Sequence, residues 1–300
     1  MNENCSLLVC SCDKYSTAWY PYFELIKKYW PEHPQKIYLN TETKQYRCEG
    51  LEIQTINSDK HCTWSERLYH CLTQIDTKYV VFSLEDFFLL GYVDQKAIDQ
   101  CMQWMEEDGN IAVCRLCTSD LDKLKKPWKD SNFRIAEADI QYRLDTQAAL
   151  WNRETLLSFL DKSESPWEFE EKGSKRVANS EKTFLWLYHE NDFDLDKMIF
   201  PYRINQIYGY GIAWSRWLWN DKKWFRKNGI TGVNMRQLGT LSEKSVKRRF
   251  RILYNPHPTG TGKLVKPFYR ILDRAEKVGQ NIRIYGFRNG LRISSLGMKK

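Results

Sequence analysis

The chain of 300 residues has no uninterrupted apolar run that approaches the roughly 20 residues required by a transmembrane helix. Its first twelve residues have neither the basic start nor the small-residue cleavage site of a secretory signal peptide. Its nine cysteines are odd in number and irregular in spacing, which is not the pattern of a disulfide framework. These absences predict a cytoplasmic protein with reduced thiols.

Several common catalytic signatures are also missing. No glycine-rich dinucleotide fingerprint follows the first predicted strand, and no serine or cysteine nucleophile motif is present. The segment 259–264, TGTGKL, resembles a phosphate-binding loop but lacks its first glycine and the hydroxyl residue after Lys263. Cys114 and Cys117 have the spacing of a zinc-ligand pair, but no second pair lies nearby, so buried thiols are the better interpretation.

Acidic residues are scarce in the last hundred positions. Residues 201–300 carry 22 Lys and Arg against 4 Asp and Glu, whereas residues 1–200 carry 24 against 34. The net charge of the whole chain is +8, but it is +18 in the last third and −10 in the rest. Such asymmetry predicts that the last third contacts nucleic acid, a membrane surface or phosphate groups. The alternative is that these cations pair with the acidic first part of the chain.

Short apolar runs alternate with amphipathic segments over the first 120 residues. The run at 79–84, YVVFSL, is apolar nearly throughout, as expected for a central strand buried on both faces. Strands that alternate with helices predict an α/β fold, with a mixed, mainly parallel sheet and helices on both faces. Beyond residue 120, the pattern predicts a strand leading into a helix over 147–160, a loop over 163–174 and a short helix over 181–189.

Candidate binding residues directly follow two of the predicted strands. Glu85 and Asp86 end the central strand, and Asp13 and Tyr15 follow the first strand. Ligands of open α/β sheets bind outside the carboxyl ends of the strands, where two carboxylates can hold a divalent cation and through it a diphosphate. The alternative for Glu85 and Asp86 is a solvated turn or a helix cap. Asp13 can accept a hydrogen bond from a base or ribose while Tyr15 stacks, or Asp13 can cap the next helix.

Two later segments add a cation and a pair of acids. Thr63 and Glu66 have the spacing of a capping box, so Arg67 falls near the first turn of a helix. There it can meet a phosphate, or it is an ordinary exposed arginine. Glu168 and Glu170 alternate with aromatic residues, and on an extended chain they share one side. A carboxylate beside aromatic rings can act as a general base, and the alternative is a plain surface acid.

The ordered set of these motifs resembles a family of bacterial glycosyltransferases with the GT-A fold, found in capsule and surface-polysaccharide biosynthesis. The set consists of SCDKY at 11–15, WSERL at 64–68, LEDFF at 84–88 and SPWEFE at 165–170, and the resemblance covers about residues 5–240. It implies a nucleotide-sugar donor, a UDP-sugar before others, and a saccharide acceptor that is free or linked to a lipid. With it we expect an inverting reaction assisted by Mg²⁺ or Mn²⁺.

The resemblance and the residues themselves together suggest roles for individual side chains. Glu85 and Asp86 occupy the metal-binding position, with Asp86 as the main ligand because the family has an aspartate where Glu85 stands. Four residues are expected to bind the nucleotide sugar: Asp13, Tyr15, Arg67 and Glu85. Glu170, or failing that Glu168, is expected to deprotonate the attacking hydroxyl of the acceptor. Two residues are expected to contact the acceptor: Gln147 and Trp167.

The resemblance and the charge pattern together suggest the domain organisation. We predict a GT-A-like catalytic domain over residues 1–240, with a nucleotide-sugar half over 1–120 and an acceptor half over 121–240. Residues 241–300 are expected to form a basic, helical and amphipathic extension. Aromatic residues interleave with Lys and Arg just before it: Trp214, Trp217, Trp219, Trp224 and Phe225. This pattern suits peripheral docking on the inner face of the cytoplasmic membrane, and the alternative is ordinary packing on the catalytic domain.

Two other functions compete with glycosyl transfer. One is a non-catalytic protein that binds nucleic acid or phosphate through the basic last third, although we expect no nucleic-acid partner. A phosphate-backbone binder would lose affinity steeply as salt rises. The other is a different nucleotide-using transferase, such as a nucleotidyltransferase, which would release pyrophosphate where a glycosyltransferase releases a nucleoside diphosphate.

Overall fold

A computed structural model of the chain describes residues 3–119, 124–189, 195–202, 211–213 and 215–246. The contacts within the chain divide it into two compact units, the first over Met1–Ile204 and the second over Asn205–Lys300. The functional halves expected before and after residue 120 remain predictions. The predicted helical extension, apart from its first few residues, lies outside the described residues.

The first unit is built on a sheet of eight strands in the order β3-β2-β1-β4-β7-β5-β8-β6. The strands are Cys5–Cys10 (β1), Ile37–Thr41 (β2), Ile53–Asn57 (β3), Tyr79–Leu84 (β4), Ile111–Ser119 (β5), Phe133–Ile135 (β6), Ala149–Asn152 (β7) and Thr183–Tyr188 (β8). Strands β6 and β7 run antiparallel to their neighbours, and the others are parallel to one another. The predicted mixed, mainly parallel sheet is confirmed.

Helices cover both faces of this sheet, as the alternating pattern predicts. The longer ones are Ser16–Tyr29 (α1), Trp64–Gln74 (α2), Gln95–Glu107 (α3) and Arg153–Phe159 (α4). Leu68 of α2 shares a buried cluster with Leu8 of β1 and Phe82 of β4. On α1, the Tyr22 hydroxyl donates a hydrogen bond to Ser83, whose side chain points to the opposite face from that of Phe82. The predicted α/β class is therefore confirmed.

The Thr63 side chain caps α2 where the sequence predicts that this helix begins. The Thr63 hydroxyl accepts a hydrogen bond from the Glu66 backbone N–H at 3.0 Å, which fixes the first turn of α2. The Thr63 hydroxyl also donates to the backbone carbonyl of Lys162, and the Ser65 backbone N–H donates to that of Glu164 at 3.1 Å. The start of α2 is thereby joined to the segment that leads into residues 165–170.

The helix predicted over residues 181–189 is wrong, because these residues contain β8 (Thr183–Tyr188). The strand lies between β5 and β6 in the sheet, and Phe184, Leu185, Trp186 and Leu187 are all buried. A short run that is apolar on every side has no period to distinguish a buried strand from a buried helix. The sheet neighbours therefore decide the structure of this segment.

The loop predicted over residues 163–174 is also wrong for most of its length. Two short α-helices, Pro166–Glu168 (α5) and Ser174–Arg176 (α6), are joined by a π-helical turn over Phe169–Gly173. Ser165 and Glu168 form a reciprocal capping box, and Pro166 occupies the first helical position. Proline there has no N–H to leave unpaired, so the residues that suggested a turn in fact start a helix.

The second unit contains a small three-stranded sheet and one helix. The strands are Ile212–Ala213 (β9), Arg216–Leu218 (β10) and Thr240–Leu241 (β11), and the helix is Asp221–Lys227 (α7). Trp217 and Phe225 are buried with ring centroids 5.8 Å apart, and the buried Arg216 donates to the Leu238 carbonyl. These three residues are buried among their own neighbours and so do not form an exposed aromatic and basic surface. Within the described ranges, no helix has both the length and the apolar character needed to cross a membrane.

Candidate active site

The carboxyl ends of three neighbouring parallel strands bring the predicted donor-side residues to one edge of the sheet. β1 pairs with β2 on one side and with β4 on the other. Asp13 lies just beyond β1, Glu42 directly follows β2, and Glu85 and Asp86 directly follow β4. The Asp13 backbone N–H donates to Glu42 Oε2 at 2.6 Å, which joins the first two strand ends. This edge is where open α/β sheets bind their ligands.

Asp13 organises this edge through hydrogen bonds to the loop after β2. Its carboxylate accepts from the hydroxyls of Thr41 and Thr43 and from the backbone N–H groups of Thr43 and Lys44. Partial burial opposes ionisation, but these hydrogen bonds outweigh it and lower the pKa of Asp13 to about 2. Tyr15 is half-buried, and the Lys14 ammonium lies 5.4 Å from the centre of its ring.

Arg67 is a buried residue rather than an exposed helical arginine, because only 8% of its surface is accessible. Its Nη1 donates to the Cys62 carbonyl at 3.2 Å and lies 3.5 Å from Glu42 Oε1. Its Nε is buried without a hydrogen-bond partner in the described part of the chain. Because Nε and Nη2 share one edge of the planar guanidinium, Arg67 has an edge suited to bidentate binding of an oxyanion.

Glu85 and Asp86 form a carboxylate pair in a poorly solvated position. Glu85 is only 7% exposed, so it does not lie in a solvated turn, and Asp86 is half-buried. Burial raises the pKa of Glu85 well above its ordinary value, and the neighbouring Asp86 charge raises it further, against the effects of Ser11 and Arg67. Desolvation also raises the pKa of Asp86, to about 7. The pair would therefore be stabilised in its ionised form by a bound cation.

These two carboxylates suit a hard divalent cation, for which oxygen is the preferred ligand. Among the residues that the structure describes, no group of three or more His, Cys, Asp or Glu side chains is placed to hold a metal ion. A protein often binds Mg²⁺ through only one or two carboxylates, with phosphate oxygens and water completing the coordination. The pair fits a metal that is shared with a diphosphate ligand.

Glu170 presents one free carboxylate oxygen. It lies in the π-helical turn, and its Oε1 accepts from the Thr146 backbone N–H at 2.9 Å and from the Thr146 hydroxyl at 2.7 Å. No hydrogen bond to Oε2 is found within the described residues. Such turns inside helices often occur at functional sites. The arrangement fixes the carboxylate and leaves one oxygen available to a ligand.

Glu168, the other predicted base, has both carboxylate oxygens occupied. Oε2 accepts from the backbone N–H and hydroxyl of Ser165, and Oε1 lies 2.9 Å from the Lys172 ammonium. The hydrogen bond from Lys172 and those from Ser165 lower the pKa of Glu168 to about 2. Its interactions are those of a helix cap. The neighbouring Trp167 is 76% exposed, so its ring is open to a ligand.

Three further residues, not predicted from the sequence, are linked to Gln147 directly or through one another. Arg115 lies 3.3 Å from Asp145 across a buried ion pair, and the Tyr202 hydroxyl is 2.7 Å from the side-chain oxygen of Gln147. Burial raises the pKa of Asp145 to about 6, although Arg115 opposes this effect. A single charge inside the apolar run of β5 is a signal that could have identified Arg115. Asp145 and Tyr202 lie in irregular segments without such a signal.

Asp13→Asn tests the hydrogen-bonded carboxylate at this edge. A pKa of about 2 in the folded protein, below the ordinary value of about 3.9, means that ionised Asp13 stabilises the fold above about pH 4. This contribution to stability declines as the pH falls from about 4 and is lost once the pH has fallen through about 2. We expect the melting temperature of Asp13→Asn to lie below that of the wild type at pH 6, with a gap that narrows from pH 4 to pH 3.

The exposed Asp130 provides the matched control. Asp130→Asn should melt with the wild type across the same pH series, as measured by circular dichroism. A gap between Asp13→Asn and the wild type that stays constant from pH 6 to pH 3 would contradict the assignment.

No known family model matches the chain, and no curated protein matches its sequence. A CMP:2-keto-3-deoxy-manno-octonic acid synthetase complexed with CTP is similar in structure, with 10% identity, coverage of 62% of this chain and 89% of its own, and a TM-score of 0.39. S. aureus TarS in complex with UDP is similar with 8% identity, coverage of 61% of this chain and 60% of its own, and a TM-score of 0.38. An active-site mutant of LgtC is similar with 12% identity, coverage of 61% of this chain and 72% of its own, and a TM-score of 0.38.

Proposed function

We propose that the chain is a glycosyltransferase that transfers a sugar from a nucleotide-sugar donor, a UDP-sugar before others, to a saccharide acceptor. One observation carries the proposal. The buried Arg67, whose Nε has no hydrogen-bond partner among the described residues, and the pair Glu85–Asp86 lie at the same edge of the sheet. A guanidinium edge binds phosphate oxygens, and a carboxylate pair binds the divalent cation that commonly accompanies a diphosphate.

On the donor side, Arg67 would bind the diphosphate through Nε and Nη2, in a geometry that a lysine cannot reproduce. Asp86, with Glu85, would hold Mg²⁺ or Mn²⁺, whose charge stabilises the leaving diphosphate when it is bound. Asp13 would keep the loop after β2 in place through its hydrogen bonds to Thr41, Thr43 and Lys44. In this proposal Asp13 shapes the nucleotide site, and Tyr15 supplies a ring beside it.

On the acceptor side, Glu170 would act as the general base through Oε2. That oxygen takes the proton of an acceptor hydroxyl while the hydroxyl oxygen attacks the anomeric carbon of the donor. The bond between this carbon and the diphosphate breaks, and the configuration at the carbon inverts. Thr146 would hold the carboxylate in position through its two hydrogen bonds to Oε1. Gln147 and the exposed ring of Trp167 would contact the acceptor.

The proposal also includes the identity of the acceptor and the place in the cell where the protein acts. The acceptor would be a surface polysaccharide or its lipid-linked precursor, and the protein would act at the inner face of the cytoplasmic membrane. The charge of +18 over residues 201–300 supports such docking. The buried Trp217 and Phe225 do not contribute to it.

A thermal-shift screen of nucleoside diphosphates and nucleotide sugars, with and without Mn²⁺, tests the proposed function. A ligand of the folded state raises the melting temperature by mass action. We expect the largest shift from a nucleoside diphosphate or its sugar in the presence of Mn²⁺. Product analysis by mass spectrometry should then find a nucleoside diphosphate. Release of pyrophosphate would indicate a nucleotidyltransferase, and no shift with any nucleotide would contradict the proposal.

Asp86→Asn should abolish the Mn²⁺-dependent part of donor binding and leave the fold intact. The amide removes the charge that holds the cation but keeps the size of the side chain. The measurement is the thermal shift with and without Mn²⁺, together with Mn²⁺-stimulated hydrolysis of the donor. Hydrolysis at the wild-type level in this variant would show that Asp86 is not the metal ligand.

Glu170→Gln should lower turnover by about two to four orders of magnitude, the usual contribution of a positioned base, with little change in donor affinity. Glu168→Gln is the matched control, because it neutralises a carboxylate two residues away that is already occupied by Ser165 and Lys172. Its turnover should remain near that of the wild type. If Glu168→Gln causes the large loss and Glu170→Gln does not, the role of base belongs to Glu168.

A further inference from the structure

A buried tyrosine connects the two sides of the candidate site. Tyr202 is 1% exposed, and its ring stacks on Phe87 with centroids 4.1 Å apart and planes inclined by 18°. Phe87 directly follows Asp86 on the donor side. The Tyr202 hydroxyl lies 2.7 Å from Gln147 Oε1 on the acceptor side. Tyr202 is therefore buried, and it contacts both the neighbour of Asp86 and the predicted acceptor residue Gln147.

The hydrogen bonds of this hydroxyl determine which way its proton points. Its oxygen accepts from the Ala148 backbone N–H at 3.2 Å. Burial raises the pKa of Tyr202 well above its ordinary value, so the hydroxyl keeps its proton. Gln147 Oε1 at 2.7 Å is a closer and better acceptor than Cys117 Sγ at 3.5 Å, which already accepts from Arg115. The proton therefore points to the Gln147 side-chain oxygen.

This bond fixes the orientation of the Gln147 amide. Because its oxygen faces Tyr202, its NH₂ group faces away from the buried hydroxyl. No hydrogen bond from Nε2 to another described residue is found, and Gln147 is only half-buried. The adjacent Thr146 holds Glu170 through its backbone N–H and hydroxyl. The Gln147 amide is thus adjacent in the chain to Thr146, the residue that holds the Glu170 carboxylate.

We propose that Tyr202 is a positioning residue that turns the Gln147 amide so that its NH₂ group donates to a hydroxyl oxygen of the saccharide acceptor. Glu170 would receive a proton from the saccharide. The site would therefore offer a hydrogen-bond donor, the Gln147 amide, and a hydrogen-bond acceptor, the Glu170 carboxylate, to a polyhydroxylated ring. The identity of the ligand rests on the proposed function, whereas the orientation of the amide rests on the contacts of Tyr202 alone.

The orientation can be measured without any ligand. Side-chain amides of glutamine are labelled with ¹⁵N, and Gln147→Glu identifies the Gln147 signal by its disappearance. Tyr202→Phe keeps the ring on Phe87 but removes the hydroxyl, so the Gln147 signal should move and its hydrogens should exchange faster. Tyr38→Phe, which deletes a hydroxyl 3.3 Å from Asp76, should leave the signal in place. An unchanged signal in Tyr202→Phe would overturn the proposal.

The functional role is tested by transfer to a mixture of methyl hexopyranosides as acceptor probes, with donor hydrolysis as the reference. Tyr202→Phe should raise the KM for the acceptor about tenfold, a typical loss for one hydrogen bond, with donor hydrolysis within about twofold of wild type. In the Gln147→Ala background, Tyr202→Phe should add no further loss, because Tyr202 acts through Gln147. Additive losses, or an equal loss of donor hydrolysis, would overturn the role.

The two proposals fail in different ways. If the wild type neither binds a nucleotide nor transfers or hydrolyses a nucleotide sugar, the proposed function fails, but the amide signal still decides whether Tyr202 orients Gln147. If Tyr202→Phe does not fold, Gln147→Glu replaces it in the transfer assay. This variant keeps an oxygen for Tyr202 and replaces the NH₂ group with a second oxygen, so it should lose acceptor binding. Wild-type acceptor KM in Gln147→Glu would overturn the proposal.

Discussion

The candidate site depends on the cost of placing two adjacent carboxylates, one buried and one half-buried, at the end of β4. Taking a carboxylate out of water is unfavourable unless a cation or hydrogen bonds compensate, and two neighbouring negative charges add repulsion. Ser11 and Arg67 compensate Glu85 only in part, since its pKa remains well above the ordinary value. A bound cation, as in the proposed function, would offset this cost for both carboxylates. The donor half of the proposed mechanism follows from this one constraint.

The surrounding structure holds the two halves of the site in a fixed relation. Asp13 ties the end of β1 to the loop after β2, and the start of α2 is hydrogen-bonded to the segment before α5. The Phe87–Tyr202 stack joins the end of β4 to Gln147. Orientation of this kind is a large part of how enzymes lower a barrier, because reacting groups already lie in place. Contacts far apart in sequence therefore carry the proposed acceptor chemistry.

Much of the fold, but less of the site, could be predicted from the sequence. The apolar run of β4 and the Thr63 cap express local preferences, and both are as expected. The burial of Arg67 depends on groups from other segments, which no local pattern reveals. Glu168 and Glu170 share one side of an extended chain, but in the helical structure one caps the helix and the other reaches Thr146. Tyr202 meets Gln147 across 55 positions, beyond any local signal.

The most direct test of the account compares the binding of UDP and uridine by isothermal titration in the wild type and in Arg67→Lys, both with Mn²⁺. The wild type should prefer UDP, because the diphosphate meets both the Arg67 edge and the cation held by Asp86. Arg67→Lys keeps the charge but loses the bidentate edge, so its affinity for UDP should fall about 10- to 100-fold, the effect of losing charge-assisted hydrogen bonds. Its affinity for uridine should not change. Equal loss of both ligands, or an unchanged preference for UDP, would contradict the account.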